Sequence, residues 1–475
     1  MFFQHIYDKS LAQASYLIGC QKTGEALVID PKRDIDTYLD VANQNGLRIT
    51  HVTETHIHAD FLSGSRELAA ATGAALLLSD EGGPDWQYEF THTGLRDHDQ
   101  IRVGNLVLEV LHTPGHTPES ISFLLTDLPA SLAPVILFTG DFVFVGDVGR
   151  PDLLEKAAGV AGTQETGARQ LFASLQKFSA LPDFVQVWPG HGAGSACGKA
   201  LGAVPSTTIG YEKIRNWAFQ HERDPSGFIS YLLNDQPEPP TYFTMMKRLN
   251  KTGRPLLIDV PTPKKLSFND VNQALATGIK LIDTRSKTAF AQRFLPGSIN
   301  IQATNTFATW MGWFVDYQKP FMLVAADEQI EELTRQLMRI GMDNLYGYIT
   351  GETLLSDANQ HADWQRADVI DLATFDAHVR RSDAQLIDLR SAAEYKKGHI
   401  DGAENLFIGT LPRQLDRVSR DRPVVIYCQG GDRAAIGYTL LRRAGFTNIR
   451  NFSAGMNGWV NAGNPVVDVS TEAVF

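Results

Sequence analysis

Two histidines and an aspartate on alternate positions, His56, His58 and Asp60, follow an apolar run from Ile49 to Val52. If that run is a short buried strand, residues on alternate positions past its carboxyl end project to one side. Three metal-competent side chains can then converge there. Alone, the pattern would also suit a polar turn with two surface histidines. Three further segments weigh against that: TPGHTPES (Thr113–Ser120), FTGDFVFVGD (Phe138–Asp147) and VWPGHG (Val187–Gly192) each set a His or Asp just after an apolar, β-rich run. They add His116, Asp141 and His191 as candidate ligands. Taken singly, His116 could be a turn residue between Pro114 and Pro118, and Asp141 a cap or turn residue.

A second reactive group stands far down the chain. YCQGGDRA (Tyr427–Ala434) places Cys428 between an apolar strand and a helix, in the pattern C-x-x-G-x-R with Gly431 and Arg433. Glycines let the loop Gln429–Gly430–Gly431–Asp432 curl, so that successive backbone N–H groups point at the sulfur. The positive end of the helix and the Arg433 charge act in the same sense. All three lower a thiol's pKa and stabilise a thiolate or a Cys–S–S⁻. The bland alternative is a buried, inert cysteine. Of the other two cysteines, Cys20 ends the apolar run SYLIG and reads as core. Cys197, six positions beyond His191, reads as a free buried thiol, with a sulfur relay or a regulatory mixed disulfide as the functional alternative.

The elements that must position these groups follow from patterning. To about Trp188, apolar β-like runs (EALVID, LRITHV, LVLEVL, PVILFTGD, FVQVWP) alternate with helical or loop segments. Asp30-Pro31 begins a turn, and Leu201–Leu233 reads as helical. QPEPP (Gln236–Pro240) marks the end of this domain, and an extended connector runs through PTPKK (Pro261–Lys265). An internal repeat follows: LIDTRSKTAFAQRFLPGSIN (Leu281–Asn300) recurs as LIDLRSAAEYKKGHIDGAEN (Leu386–Asn405). Each copy proceeds to an apolar strand, PFMLVA or PVVIYC, and a helix ending near Gly341 or Gly445. That order implies a parallel-sheet α/β unit of about 100 residues per copy. Where the second copy has Cys428 the first has Ala325, followed by Ala326 and Asp327, with no sulfur and no glycine. The expected domains are 1–245, 246–365 (connector plus an inactive copy) and 366–475.

At 475 residues the chain is too long for a single core. A hydrophobic fraction of 43% and a charged fraction of 20% are ordinary for a globular protein. The formal charge of −11 argues against nucleic acid as a partner. No run approaches the roughly 20 apolar residues of a membrane span, and the start lacks a signal-peptide pattern. Three scattered cysteines suit a reducing cytoplasm.

The four His- and Asp-bearing segments, in this order, resemble the ligand loops of metallo-β-lactamase-fold enzymes. Both repeat copies resemble rhodanese domains in the D-x-R opening, the GHIxGAxN turn and the loop after PVVIYC. The resemblance implies an N-terminal metallo-β-lactamase αβ/βα sandwich followed by two rhodanese-like parallel-sheet α/β domains. Binuclear zinc hydrolases of this fold usually read HxHxDH, and here Phe61 occupies the sixth position. An apolar ring cannot ligate, which implies an empty second metal pocket. His56, His116 and Asp141 would then form a facial triad like that of non-haem Fe(II) oxygenases. His58, Asp60 and His191 would orient ligands or gate protons.

TGDFVFVGDVGRPDL (Thr139–Leu153) is similar to a segment of persulfide dioxygenases, and VPSTTIGYEK (Val204–Lys213) resembles their substrate-side segment. Arg150, Thr208 and Cys197 are the candidate substrate contacts, although Arg150 reads first as a structural ion-pair partner. The whole order resembles CstB-type sulfide-detoxification proteins. That resemblance implies one non-haem Fe(II) per chain, with O2 and a persulfide of glutathione, coenzyme A, bacillithiol or cysteine as substrates. It also implies sulfite passed to Cys428 to give thiosulfate, a homo-oligomer (dimer or tetramer), a cytoplasmic location and no membrane partner. The rivals are a glyoxalase-II-like zinc thioester hydrolase with an attached rhodanese, and a non-catalytic sulfur carrier or persulfide sensor.

Overall fold

The computed structural model describes residues 1–153, 155, 162–199, 201–356 and 363–468. They form two compact units: Met1–Pro261 with Arg335–Met342, and Thr262–Thr334 with Asp343–Phe475. No helix among the described residues is long and apolar enough to cross a membrane.

The first unit is built on two six-stranded sheets. One takes β1 (Phe2–Asp8), β2 (Gln13–Cys20), β3 (Glu25–Ile29), β4 (Arg48–Thr53), β5 (Ala75–Ser79) and β6 (Thr93–Leu95) in chain order. The other takes β7 (Gln100–Val103), β8 (Leu106–His112), β9 (Ile121–Asp127), β10 (Ile136–Gly140), β11 (Gln186–Pro189) and β12 (Thr207–Thr208). Their inner faces meet in one buried cluster, with Tyr16, Ile18, Leu27 and Ile29 against Leu108, Val110, Phe123 and Phe138. The outer face of the first sheet is covered by helices Asp36–Gln44 and Ser65–Thr72 through Tyr38, Ala42 and Leu68. Helix Thr163–Ser179 covers the outer face of the second through Ala168, Leu171 and Leu175. Helix, sheet, sheet and helix make the expected αβ/βα sandwich. Double coverage explains why these strands read as continuous apolar runs: every residue of β2 and β10 is buried.

Two expectations fail. Leu201–Leu233 is not one helical run, because β12 precedes the short helices Ile209–Arg215, Trp217–Gln220 and Pro225–Leu233. Thr208, Asn216 and Asp224 cap the three helix starts with their side chains, and such caps restart rather than continue a helix. The break expected after residue 245 falls inside helix Phe243–Lys251. There the buried Asn250 donates to the carbonyls of His58 and Phe61 and accepts from the Ser63 N–H. This helix therefore clamps the His56–Asp60 loop and belongs to the first unit.

The second unit holds two four-stranded parallel sheets of identical order. One is β14 (Ile299–Asn300), β13 (Lys280–Asp283), β15 (Phe321–Val324) and β16 (Leu345–Ile349). Its counterpart is β18 (Ala403–Asn405), β17 (Gln385–Asp388), β19 (Val424–Tyr427) and β20 (Ile449–Asn451). The repeated residues do the same work in each. Arg285 reaches back to Asp283 at 2.6 Å and Arg390 to Asp388 at 2.6 Å. Asn300 donates to the carbonyls of Asp283 and Arg285, as Asn405 does to those of Asp388 and Arg390. The repeat thus encodes a locked turn at the carboxyl end of the leading strand.

Each of the His- and Asp-bearing loops leaves the carboxyl end of a strand: β4, β8, β10 or β11. One close approach fixes two of them together. A Cβ on Gly149 would stand 1.8 Å from the Asp141 carbonyl oxygen and 3.1 Å from His116 Cβ. Gly149→Ala is expected to lower stability by roughly 1–3 kcal/mol through overpacking. A thermal melt together with bound metal content checks this, and a wild-type melt would contradict it.

Candidate metal centre and cysteine loop

His56, His116 and Asp141 are buried, and their ligand atoms lie within 4.8 Å of one another. His116 Nδ1 donates to the Arg150 carbonyl at 2.9 Å. A carbonyl only accepts, so the proton sits on Nδ1 and the Nε2 lone pair faces Asp141 Oδ2, 3.5 Å away. His56 is fixed by a relay. The Thr55 hydroxyl donates to Asp30 Oδ2 at 2.9 Å, and so accepts from His56 Nδ1 at 3.0 Å. Its Nε2 is left facing Asp141 Oδ2 at 3.9 Å. Burial holds His56 well below the usual imidazole range and His116 down to about 3, so both rings are neutral. Burial also raises Asp141 to about 6. His56 Nε2 and both Asp141 carboxylate oxygens meet no hydrogen-bond partner among the described residues. Buried polar atoms without partners are costly unless a ligand satisfies them. Two neutral imidazoles and a carboxylate are a donor set for a transition-metal ion, and these residues fit one.

His58 does not join them. Its Nε2 lies 3.0 Å from Asp30 Oδ1, and its ring packs on the buried Phe61 with centroids 4.3 Å apart. Although burial opposes it, the Asp30 carboxylate raises His58 to about 9, and its buried Nδ1 meets no hydrogen-bond partner among the described residues. Between the two histidines, the Ile57 N–H donates to Glu119 Oε1 at 2.8 Å, tying this loop to the one bearing His116.

Asp60, His191 and Cys197 form a second buried cluster. His191 Nδ1 donates to the Ala12 carbonyl at 2.9 Å, and Nε2 stands 3.2 Å from Asp60 and 3.5 Å from Asp141. Against the effect of burial, the Asp141 and Asp60 carboxylates raise His191. Burial, followed by the charges of Asp141 and Asp60, pushes the Cys197 thiol well above its ordinary range. His191 thus lies between the Asp60 and Asp141 carboxyl groups, with the Cys197 thiol beside it.

Of the residues singled out for substrate contact, Arg150 and Thr208 serve other ends. Arg150 is fully buried and forks onto Asp152 at 2.7 and 2.7 Å, with a further bond to the Ala196 carbonyl. It is a strut whose own carbonyl orients His116. Thr208 accepts from the Tyr211 N–H as a helix cap. The space beside the metal ligands is a cleft of about 800 Å³, lined by residues including Ile57, Trp86, Gly115, Pro118 and Lys247. Lys247 escaped the sequence reading because it lies past the supposed domain end. Its Nζ is buried, makes no hydrogen bond among the described residues and stands 5.0 Å over the Trp86 ring. Burial lowers it to about 8.

In the second unit Cys428 follows β19, and the Gly431 N–H donates to its Sγ at 3.1 Å. Gly431, at φ +97°, leads into helix Asp432–Arg443. Gln429 is held at both ends, donating to Asn457 Oδ1 at 2.6 Å and accepting from Arg390 at 3.2 Å. Arg433 forks onto Glu394 at 2.7 and 2.7 Å, so its charge is shared rather than given wholly to the sulfur. Against burial, Arg433 draws Glu394 down to about 2. In the first copy Ala325 is buried after β15, and Asp327 pairs with Lys265 at 2.6 Å. Cys20 packs in the core between the two sheets of the first unit.

Residues 10–191 match the metallo-beta-lactamase superfamily and residues 371–462 the rhodanese-like domain family. Among solved structures, a metallo-beta-lactamase from Staphylococcus aureus subsp. aureus COL is 47% identical, with a TM-score of 0.69, covering 74% of this chain and 99% of that one. The hydroxyacylglutathione hydrolase of Polaromonas sp. is 37% identical over 179 residues, 37% of this chain and 61% of that protein. The mitochondrial persulfide dioxygenase of Homo sapiens is 31% identical over 194 residues, 40% of this chain and 68% of that protein. The chain thus spans about three-fifths of the hydrolase it matches.

Asp30→Asn should free His58 and loosen His56, lowering metal affinity roughly 10- to 100-fold. Competition with a chelator reads this, and wild-type affinity would refute it. The Glu394–Arg433 pair should add on the order of 1 kcal/mol after solvent screening. Because Glu394 is depressed from 4.5 to about 2, that contribution is full above pH 4.5 and fades as pH falls toward 2. Melts of wild type and Glu394→Gln across this window should converge at the acid end.

Proposed function

The chain belongs to the metallo-beta-lactamase superfamily and carries a C-terminal rhodanese-like domain, and from that premise we propose that it is a persulfide dioxygenase coupled to a sulfurtransferase. The observation that carries this reading is the diversion of His58 onto Asp30, beside Phe61. The group that then meets around one point is two imidazoles and one carboxylate, His56, His116 and Asp141, with Asp60, His191 and Cys197 as a separate cluster. A non-haem Fe(II) held there would supply redox chemistry toward O2 and a site for a soft sulfur anion.

The protein's own residues do the rest. Nδ1–H bonds to Thr55 and to the Arg150 carbonyl keep His56 and His116 in the ligating tautomer. Lys247 places a cation in the cleft for the anionic persulfide or a carboxylate of its carrier, with the Trp86 ring beside it. A low-molecular-weight persulfide R–S–SH, O2 and water give R–SH, sulfite and two protons. At the second site the Cys428 thiolate attacks the outer sulfur of a second R–S–SH, breaking its S–S bond, releasing R–S⁻ and leaving Cys–S–SH. Attack by sulfite on the outer sulfur breaks the S–S bond, giving thiosulfate and returning the thiol. Joining both chemistries in one chain raises the effective concentration of sulfite at Cys428.

A binuclear zinc thioester hydrolase is the second reading. It is favoured by the 37% identity to the hydroxyacylglutathione hydrolase and by Asp60, neither of whose carboxylate oxygens finds a hydrogen-bond partner among the described residues, although Oδ2 stands 3.2 Å from His191 Nε2. The two differ in what they consume. On the proposed reading, His116→Ala or Asp141→Ala abolishes O2 uptake but leaves sulfur transfer from thiosulfate intact. Cys428→Ser keeps O2 uptake and lets sulfite accumulate. Thioester hydrolysis without persulfide-dependent O2 uptake would transfer the case to the hydrolase.

A further inference from the structure

The first rhodanese-like copy has no nucleophile, yet it touches the loop of the copy that has one. Lys287 opens helix Lys287–Gln292 of the first copy, where the second copy has Ala392. Its Nζ donates to the Gly430 carbonyl and stands 2.9 Å from Asp432 Oδ1. Both partners lie in the loop around Cys428.

The peptide unit between Gly430 and Gly431 is the point of interest. Its N–H donates to Cys428 Sγ at 3.1 Å, and its carbonyl accepts from Lys287. One rigid plane is therefore pinned at both polar ends, one end by the sulfur and the other by the first copy. Flanking glycines carry no Cβ to resist rotation of such a plane. A flip would withdraw the N–H from the sulfur and turn a carbonyl oxygen toward it. For an anionic sulfur that exchanges an attractive dipole for a repulsive one. The same lysine offsets the Asp432 carboxylate, which otherwise adds negative charge beside the loop.

We propose that the first rhodanese-like copy supplies Lys287 as a positioning residue that locks the Gly430–Gly431 peptide with its N–H toward Cys428. The catalytically silent copy is thus a component of the neighbouring site. This rests on reading Cys428 as the sulfur carrier.

The test uses the full-length, metal-loaded chain and Lys287→Met and Lys287→Arg. Site-resolved alkylation of Cys428 by iodoacetamide at neutral pH is followed by peptide mass spectrometry, alongside sulfur transfer from thiosulfate to cyanide. Loss of one charge-assisted hydrogen bond should slow both in the methionine variant by roughly tenfold. Arginine, which restores the charged donor, should recover most of the rate, a rescue that a purely structural defect would not show. O2 uptake at the metal centre should be unchanged. Wild-type rates in Lys287→Met, or no recovery with arginine, would overturn the assignment. Should the methionine variant not fold, Lys287→Gln, which keeps a neutral donor, is read instead. A roughly threefold loss there supports the assignment, and wild-type rates overturn it. If wild-type protein transfers no sulfur, the carrier reading falls, while the alkylation rate still reports on Lys287.

Discussion

One buried carboxylate, Asp30, sets the state of two imidazoles at once. It accepts a hydrogen bond from the Thr55 hydroxyl, which leaves Thr55 to accept from His56 and the His56 Nε2 lone pair to face Asp141. It also pairs with His58 Nε2 at 3.0 Å and so fixes which way that ring faces. The Thr55 backbone N–H donates to the same carboxylate at 2.7 Å, so the loop and its charge pattern are fixed together. Asp30 holds this position with φ +52°, at the end of β3 and before Pro31. The candidate ligands are thus oriented in part by a carboxylate that is not itself one of them.

The second unit solves a different problem with the same economy. Both copies keep the Arg–Asp fork and the asparagine that lock the turn after the leading strand. These are determinants of the scaffold and survive where the chemistry is gone. What separates the copies is the segment after β15 or β19. In one it ends in Ala325, and in the other it curls around Cys428 through Gly430 and Gly431. Loss of the nucleophile leaves the fold intact because the sheet order and turn locks do not depend on it.

Much of this was legible in the sequence because it is written in short-range pattern. The apolar runs gave β4, β8, β10 and β11, and each His- or Asp-bearing segment lies just past one of them. The repeat gave two like parallel sheets. What escaped depends on contacts distant in the chain. Asp30-Pro31 read only as a turn, since nothing local says that its carboxylate meets residues 25 and 28 positions on. Lys247 and Asn250 were missed because QPEPP suggested an ending, whereas Asn250 packs against residues about 190 positions earlier. Arg150 read first as an ion-pair partner, and its fork onto Asp152 two residues on is that pair, although the pattern left a substrate contact open.

The central claim is that one ion is held by His56, His116 and Asp141, with His58 turned onto Asp30. Metal analysis of protein that is fully active in persulfide-dependent O2 uptake tests it most directly. The account predicts one iron per chain and little zinc. Two zincs per active chain would contradict it.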